Sequence, residues 1–122
     1  MRNKEWIIEN INAIREVIDF QLNKDQMDNV QWKLLRMESL LGLSAETISE
    51  SKALLSLKQM QVLSTLDKDM SITEKKAHIN GACWEEEALH DYADRINSAI
   101  RHGLDAIRSI IALHRTELDK GI

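Results

Sequence analysis

The chain has 122 residues, a length that suits one domain spanning residues 1–122. Apolar residues make up 43% and charged residues 30%, as in folded proteins, and the net charge of −4 argues against a general binder of nucleic acid or anionic membranes. The absence of proline and the presence of only four glycines exclude the frequent turns of an all-β fold.

No stretch reaches the roughly 18 apolar residues that a membrane-spanning helix needs. The opening residues Met1 to Glu5 lead into an amphipathic segment and do not resemble a signal peptide. The one cysteine, Cys83, has no internal disulfide partner, which favours a reducing compartment. We therefore expect a cytoplasmic, all-α protein.

Apolar periodicity predicts an elongated bundle of about four to five helices. The first covers about residues 4–22 and is expected to break at Asn23-Lys24-Asp25. The second covers about residues 25–41 and is expected to end at Gly42, as a C-cap glycine would. The third covers about residues 44–66, with Ser44 as N-cap. Its apolar residues point several ways, which predicts burial against more than one neighbour.

The C-terminal half predicts two further helices. The run from Ser71 to Glu74 has the form of a capping box and opens a short helix that stops near Asn80-Gly81. The last helix covers about residues 83–118, or about 54 Å at 1.5 Å per residue. This length exceeds the core of a compact monomer, so it predicts an elongated bundle or an oligomer. Its apolar stripe is Leu89, Ala93, Ile96, Ile100, Leu104, Ile107, Ile111 and Leu118.

The start of the long helix offers a weak metal-site candidate. Glu86, Glu87 and His90 are spaced so that they share a helix face, where they could hold a cation. Di-metal bundles need two Glu-x-x-His pairs, and this chain has one. A solvated acidic first turn explains the same residues, so no metal and no cofactor are expected. Nucleotide pyrophosphohydrolases need a second acidic pair, which the chain lacks.

Arginine recurs every seven residues along the long helix. Arg101, Arg108 and Arg115, with His102 nearby, form a strip that could bind a phosphate or an acidic partner. Asp105 lies four residues after the first arginine and three before the second, where it could pair with both. The alternative is therefore a solvated, self-paired face.

Three small residues on the long helix predict a close helix contact. Ala99, Gly103 and Ala106 would let another backbone approach, either within the chain or at a dimer interface. His114 lies on the apolar stripe, where a histidine is usually a core residue and less often a ligand or pH-sensitive group. Cys83, near a helix start, is read as a small buried residue, with a reactive thiol as the alternative.

Two segments, Leu40 to Glu46 and Tyr92 to Ile100, resemble in texture short helical accessory proteins of bacteriophages and related mobile elements. The resemblance implies no activity and assigns no functional residue. Three functions remain open: a non-enzymatic interaction protein acting on a host or phage partner, a small-ligand binder such as a phage sponge for a nucleotide signal, and a metal-dependent hydrolase. We expect a homodimer and no membrane or nucleic-acid partner.

Overall fold

The protein is an all-helical bundle. The structure, a computed structural model, describes residues 1–23 and 26–121. Helices account for 86% of the described residues, which contain no strand. The described ranges contain four helices: α1 (Lys4–Asp19), α2 (Met27–Thr65), α3 (Ile72–Ala82) and α4 (Trp84–Asp119). The predicted fold class, including the long C-terminal helix, is confirmed.

Helix α1 is closed at both ends by side chains. Asn3 caps its start, since its side chain accepts a hydrogen bond of 2.9 Å from the backbone N–H of Trp6. The helix ends at Asp19, three residues before the predicted end. There the Lys33 ammonium group donates hydrogen bonds of 2.7 Å to the carbonyl oxygens of Ile18 and Phe20. The predicted break covers residues 23–25, and the second helix was predicted to start at about residue 25. Residues 24 and 25 lie outside the described ranges.

The second and third predicted helices are one helix, α2, of 39 residues. The predicted C-cap at Gly42 and the predicted N-cap at Ser44 are therefore wrong. Ser44, Thr47 and Ser51 are fully buried and lie on one face of α2. A mid-helix glycine costs about 1 kcal/mol relative to alanine, and the packing of this face offsets that cost.

Helices α2 and α4 run antiparallel. Arg108 reaches Glu38, while Asn97, about three turns earlier in α4, donates a buried hydrogen bond of 3.0 Å to Ser44, further along α2. The last helix was expected to exceed the core of a compact monomer, but α2 is longer than α4 and lies beside it. The length of α4 is thus no argument for a dimer.

Helix α1 completes the core by packing against both long helices. Its buried residues are Ile7, Ile11, Ile14 and Val17, and those of α4 include most of the predicted stripe. Leu118 of that stripe is instead 61% exposed. The apolar core is Ile7, Ile11, Ile14, Val17, Val30, Met37, Ala93, Ile96, Ile100, Leu104 and Ile107.

Residues 52–82, the arm, form the C-terminal part of α2, the connection and α3. The arm contains no buried residue. The prediction that apolar residues such as Leu57, Met60 and Leu63 are buried against several neighbours is therefore wrong, since all three are exposed. The start of α3 was predicted correctly: the Ser71 hydroxyl accepts a hydrogen bond of 3.2 Å from the backbone N–H of Glu74.

Candidate interaction surface

The acidic start of α4 is built around an ion pair with α1. Glu86 is only 5% exposed, and its Oε2 lies 3.2 Å from the Nζ of Lys4. This carboxylate raises the pKa of Lys4 above its ordinary value. Glu87 is exposed and His90 half-buried. In the described ranges, no three His, Cys, Asp or Glu side chains are grouped to hold a metal ion. Glu86 thus serves to attach α1 to α4.

The arginine strip lies on the surface of α4. Arg108 pairs with Glu38 of α2 at 3.4 Å and with Asp105 at 3.8 Å. Arg101, His102 and Arg115 are exposed, and we find no ion pair for them within the described residues. Asp105 therefore pairs with one of the two arginines expected. Surface pairs of this kind contribute about 0–1 kcal/mol. The strip faces solvent and lines none of the grooves described below.

Gly103 makes its close contact inside the chain. A β-carbon at this position would overlap the terminal methyl group of Met37 on α2, a residue that is fully buried. Ala99 is half-buried and Ala106 exposed. The small residue at 103 is thus accounted for by the α2–α4 contact, and a dimer interface at these three positions stays a prediction.

Cys83 and His114, the two remaining candidate residues, differ in how deeply they are buried. Cys83 is 1% exposed, carries a free thiol and stands at the junction of α3 and α4. A thiol at this depth has little access to reagents, which matches a packing role. His114 is half-buried near the end of α4.

Two apolar grooves open near the α3–α4 junction. The arm groove, of about 470 Å³, lies between α2 and α3 and is lined by Ser56, Gln59, Met60, Leu63, Lys76, Ile79 and Asn80. The second groove, of about 410 Å³, lies between α1 and α4 and is lined by Lys4, Ile8, Trp84, Glu85, Ala88, Leu89 and Tyr92. Both volumes fall within the roughly 300–1,000 Å³ typical of binding sites.

The side chains around these grooves expose large apolar surfaces. Met60 is 69% exposed, Leu63 47% and Trp84 64%. Sequence reasoning identified none of the three as a functional residue. Trp84 had a detectable signal, because a tryptophan on the polar side of an amphipathic helix departs from the periodic pattern.

Comparisons with known proteins assign no family to the chain. No family model, no curated protein and no solved structure matches it. Among the described residues, no helix has both the length and the apolar character needed to cross a membrane.

Proposed function

We propose that this is a non-enzymatic interaction protein whose arm binds another protein molecule. The observation that carries the proposal is the lack of any buried residue across residues 52–82. The arm is nevertheless about as rich in apolar residues as the whole chain, where they amount to 43%. Contiguous exposed apolar surface with a polar rim is typical of protein interaction sites.

The arm contributes to the core only through Leu54, which is half-buried and packs against it. Every residue of the apolar core belongs to α1, to α4 or to the part of α2 before Leu40. The side chains with which α2 and α3 meet stay at least partly exposed, so this contact removes less apolar area from water than a contact in the core does. A partner that covered Met60, Leu63 and Ile79 would supply the burial that the arm lacks.

The contacts of the charged residues favour binding over catalysis. Glu86, the most buried acid of the weak metal-site candidate, is engaged by Lys4. Arg108, the middle residue of the arginine strip, is engaged by Glu38 and Asp105. The cytoplasmic location and the bacteriophage connection belong to this proposal and depend on sequence features alone. The genes adjacent to this one would test the second of them.

The proposal is tested by covalent cross-linking in the source cell with an affinity-tagged chain. Met60→Ser and Leu63→Ser should each abolish cross-linked species that the unchanged protein forms. Leu35→Ser is the matched control, because Leu35 is 66% exposed, close to the 69% of Met60, but lies outside the arm. If both arm variants keep every cross-linked species, a second copy of the chain included, the arm is not a binding surface.

A further inference from the structure

The exposed tryptophan at the base of the arm has a counterpart on the same chain. Trp84, the first residue of α4, is 64% exposed. The arm groove, with Met60, Leu63 and Ile79 on its walls, is an apolar depression of about 470 Å³, large enough for an indole ring. Tryptophan is enriched among the residues that dominate binding energy at protein interfaces, and methionine is enriched at interfaces generally.

We infer that the partner of the arm is a second copy of this chain, with Trp84 of each copy inserted into the arm groove of the other. This inference rests on the proposed function and identifies its partner. Ile79 on the groove and Trp84 are five residues apart in sequence. In the proposed dimer each tryptophan occupies the groove of the other copy, and two-fold dimers are the commonest closed assemblies.

Charge complementarity supports a second copy over an unrelated partner. Lys76 lines the arm groove, and Glu87 follows Trp84 by three residues, so it lies on the same side of α4. Both side chains are exposed, and neither has an ion pair among the described residues. In the dimer, Lys76 beside each groove meets Glu87 beside the inserted tryptophan. Lys76 and Glu87 thus pair with each other across the interface.

The dimer also draws on a wider charge difference. The arm contains Lys52, Lys58, Lys68, Lys75 and Lys76 against Asp67, Asp69 and Glu74, so it is basic within a chain whose net charge is −4. The first turn of α4, which carries Trp84, is acidic: it holds Glu85, Glu86 and Glu87, and Lys4 of α1, which pairs with the first two, offsets only one of these charges. Opposite potentials on the two contacting surfaces favour their association and fix its register.

Sedimentation equilibrium over a range of protein concentrations tests the inference. The unchanged protein should show a mass twice the chain's 14.0 kDa at tens of micromolar. Trp84→Ser should raise the Kd of the dimer by about 30-fold or more, the scale of an interface hot spot. Leu63→Ser removes the groove wall instead of the tryptophan and should act in the same direction. Leu35→Ser should leave the Kd unchanged.

A charge exchange provides the sharper test. Lys76→Glu and Glu87→Lys should each raise the Kd by about two- to five-fold, the scale of an exposed ion pair. The chain carrying both changes should recover the original Kd, since the pair is restored with its sign reversed. Circular dichroism on every variant confirms that the helices are retained.

Three results overturn the inference: a 14.0 kDa unchanged protein at these concentrations, a dimer indifferent to both Trp84→Ser and Leu63→Ser, or a double charge variant weaker than both single ones. The proposed function fails separately. A monomer that still forms arm-dependent cross-links to a different protein retains the proposed function and refutes the self-association. A monomer without such cross-links refutes both.

Discussion

Replacing Gly42 with alanine should stabilise the protein, because this glycine lies in the middle of α2. A β-carbon added at Gly42 meets no atom within 4 Å, so the methyl group causes no overlap. Alanine is favoured over glycine in a helix interior by about 0.8–1.0 kcal/mol. We expect the free energy of unfolding to rise by about 0.5–1 kcal/mol and the Tm by roughly 2–4 °C for a domain of this size.

Gly103 provides the matched comparison, because it is also mid-helix but has no space beside it. Alanine at this position gains the same helix propensity, and its β-carbon overlaps the buried methyl group of Met37. Overpacking a core costs about 1–3 kcal/mol, so Gly103→Ala should range from neutral to about 2 kcal/mol destabilising. The difference between the two variants measures the closeness of α2 and α4.

Urea unfolding followed by far-ultraviolet circular dichroism measures both effects, as changes in the midpoint at constant slope. The described residues contain one glycine with positive φ, Gly121, so α2 passes through Gly42 with helical backbone angles. If Gly42→Ala destabilised the protein by about 1 kcal/mol or more, residue 42 would need the left-handed conformation of a helix end. That result would refute the continuity of α2.

Two further predictions concern buried polar side chains. Ser44→Ala removes the acceptor of the Asn97 amide and should lower the free energy of unfolding by about 1–3 kcal/mol. The control, Ser39→Ala, removes an exposed hydroxyl of the same helix and should change this free energy by less than about 0.5 kcal/mol. Lys33→Met removes both bonds that close α1 and should cost about 1–3 kcal/mol in chemical unfolding. Burial lowers the pKa of Lys33 below its ordinary 10.5, so the folded state releases this proton first. The unfolding free energy of the unchanged protein should therefore rise relative to that of Lys33→Met as the pH approaches 10.5 from below. A constant difference between the two proteins over that range would contradict the assignment.

The parts of the fold that follow from local spacing could be predicted from the sequence. Ile96, Ile100, Leu104 and Ile107 recur at helical spacing, and all four are buried on one face of α4. The capping serine, Ser71, could also be predicted, because the residue that it caps, Glu74, is three residues away. Both are short-range signals that do not depend on the remainder of the chain.

The misreading of α2 has the opposite cause. Gly42 followed by Ser44 and Glu46 is the local pattern of one helix ending and another beginning. What holds the helix together there is contact with α4, including a hydrogen bond from Asn97, 53 residues further along the chain. Local propensity is a weak prior that tertiary packing overrides. A pattern confined to a few residues around Gly42 contains no information about a contact with Asn97.

The candidate interaction surface could not be predicted from the sequence for a related reason. Periodicity identified Leu57, Met60 and Leu63 as apolar, and the burial that normally accompanies such residues was inferred from it. Whether any element of the chain covers them depends on where α1 and α4 begin. Helix α1 begins at Lys4, beside Glu86 in the first turn of α4, and the residues before it reach as far as Glu50 of α2.

The division of α2 into a covered part and an uncovered part implies that one continuous helix exchanges its amide hydrogens on two timescales. Amides before Ser51, beneath α1 and α4, should exchange with deuterium only when the whole protein unfolds. Those beyond it can open with α3 as a separate unit, since no buried side chain holds them closed. Protection along α2 should therefore step down near Ser51, and association through the arm would shift that step toward Thr65 as the protein concentration rises.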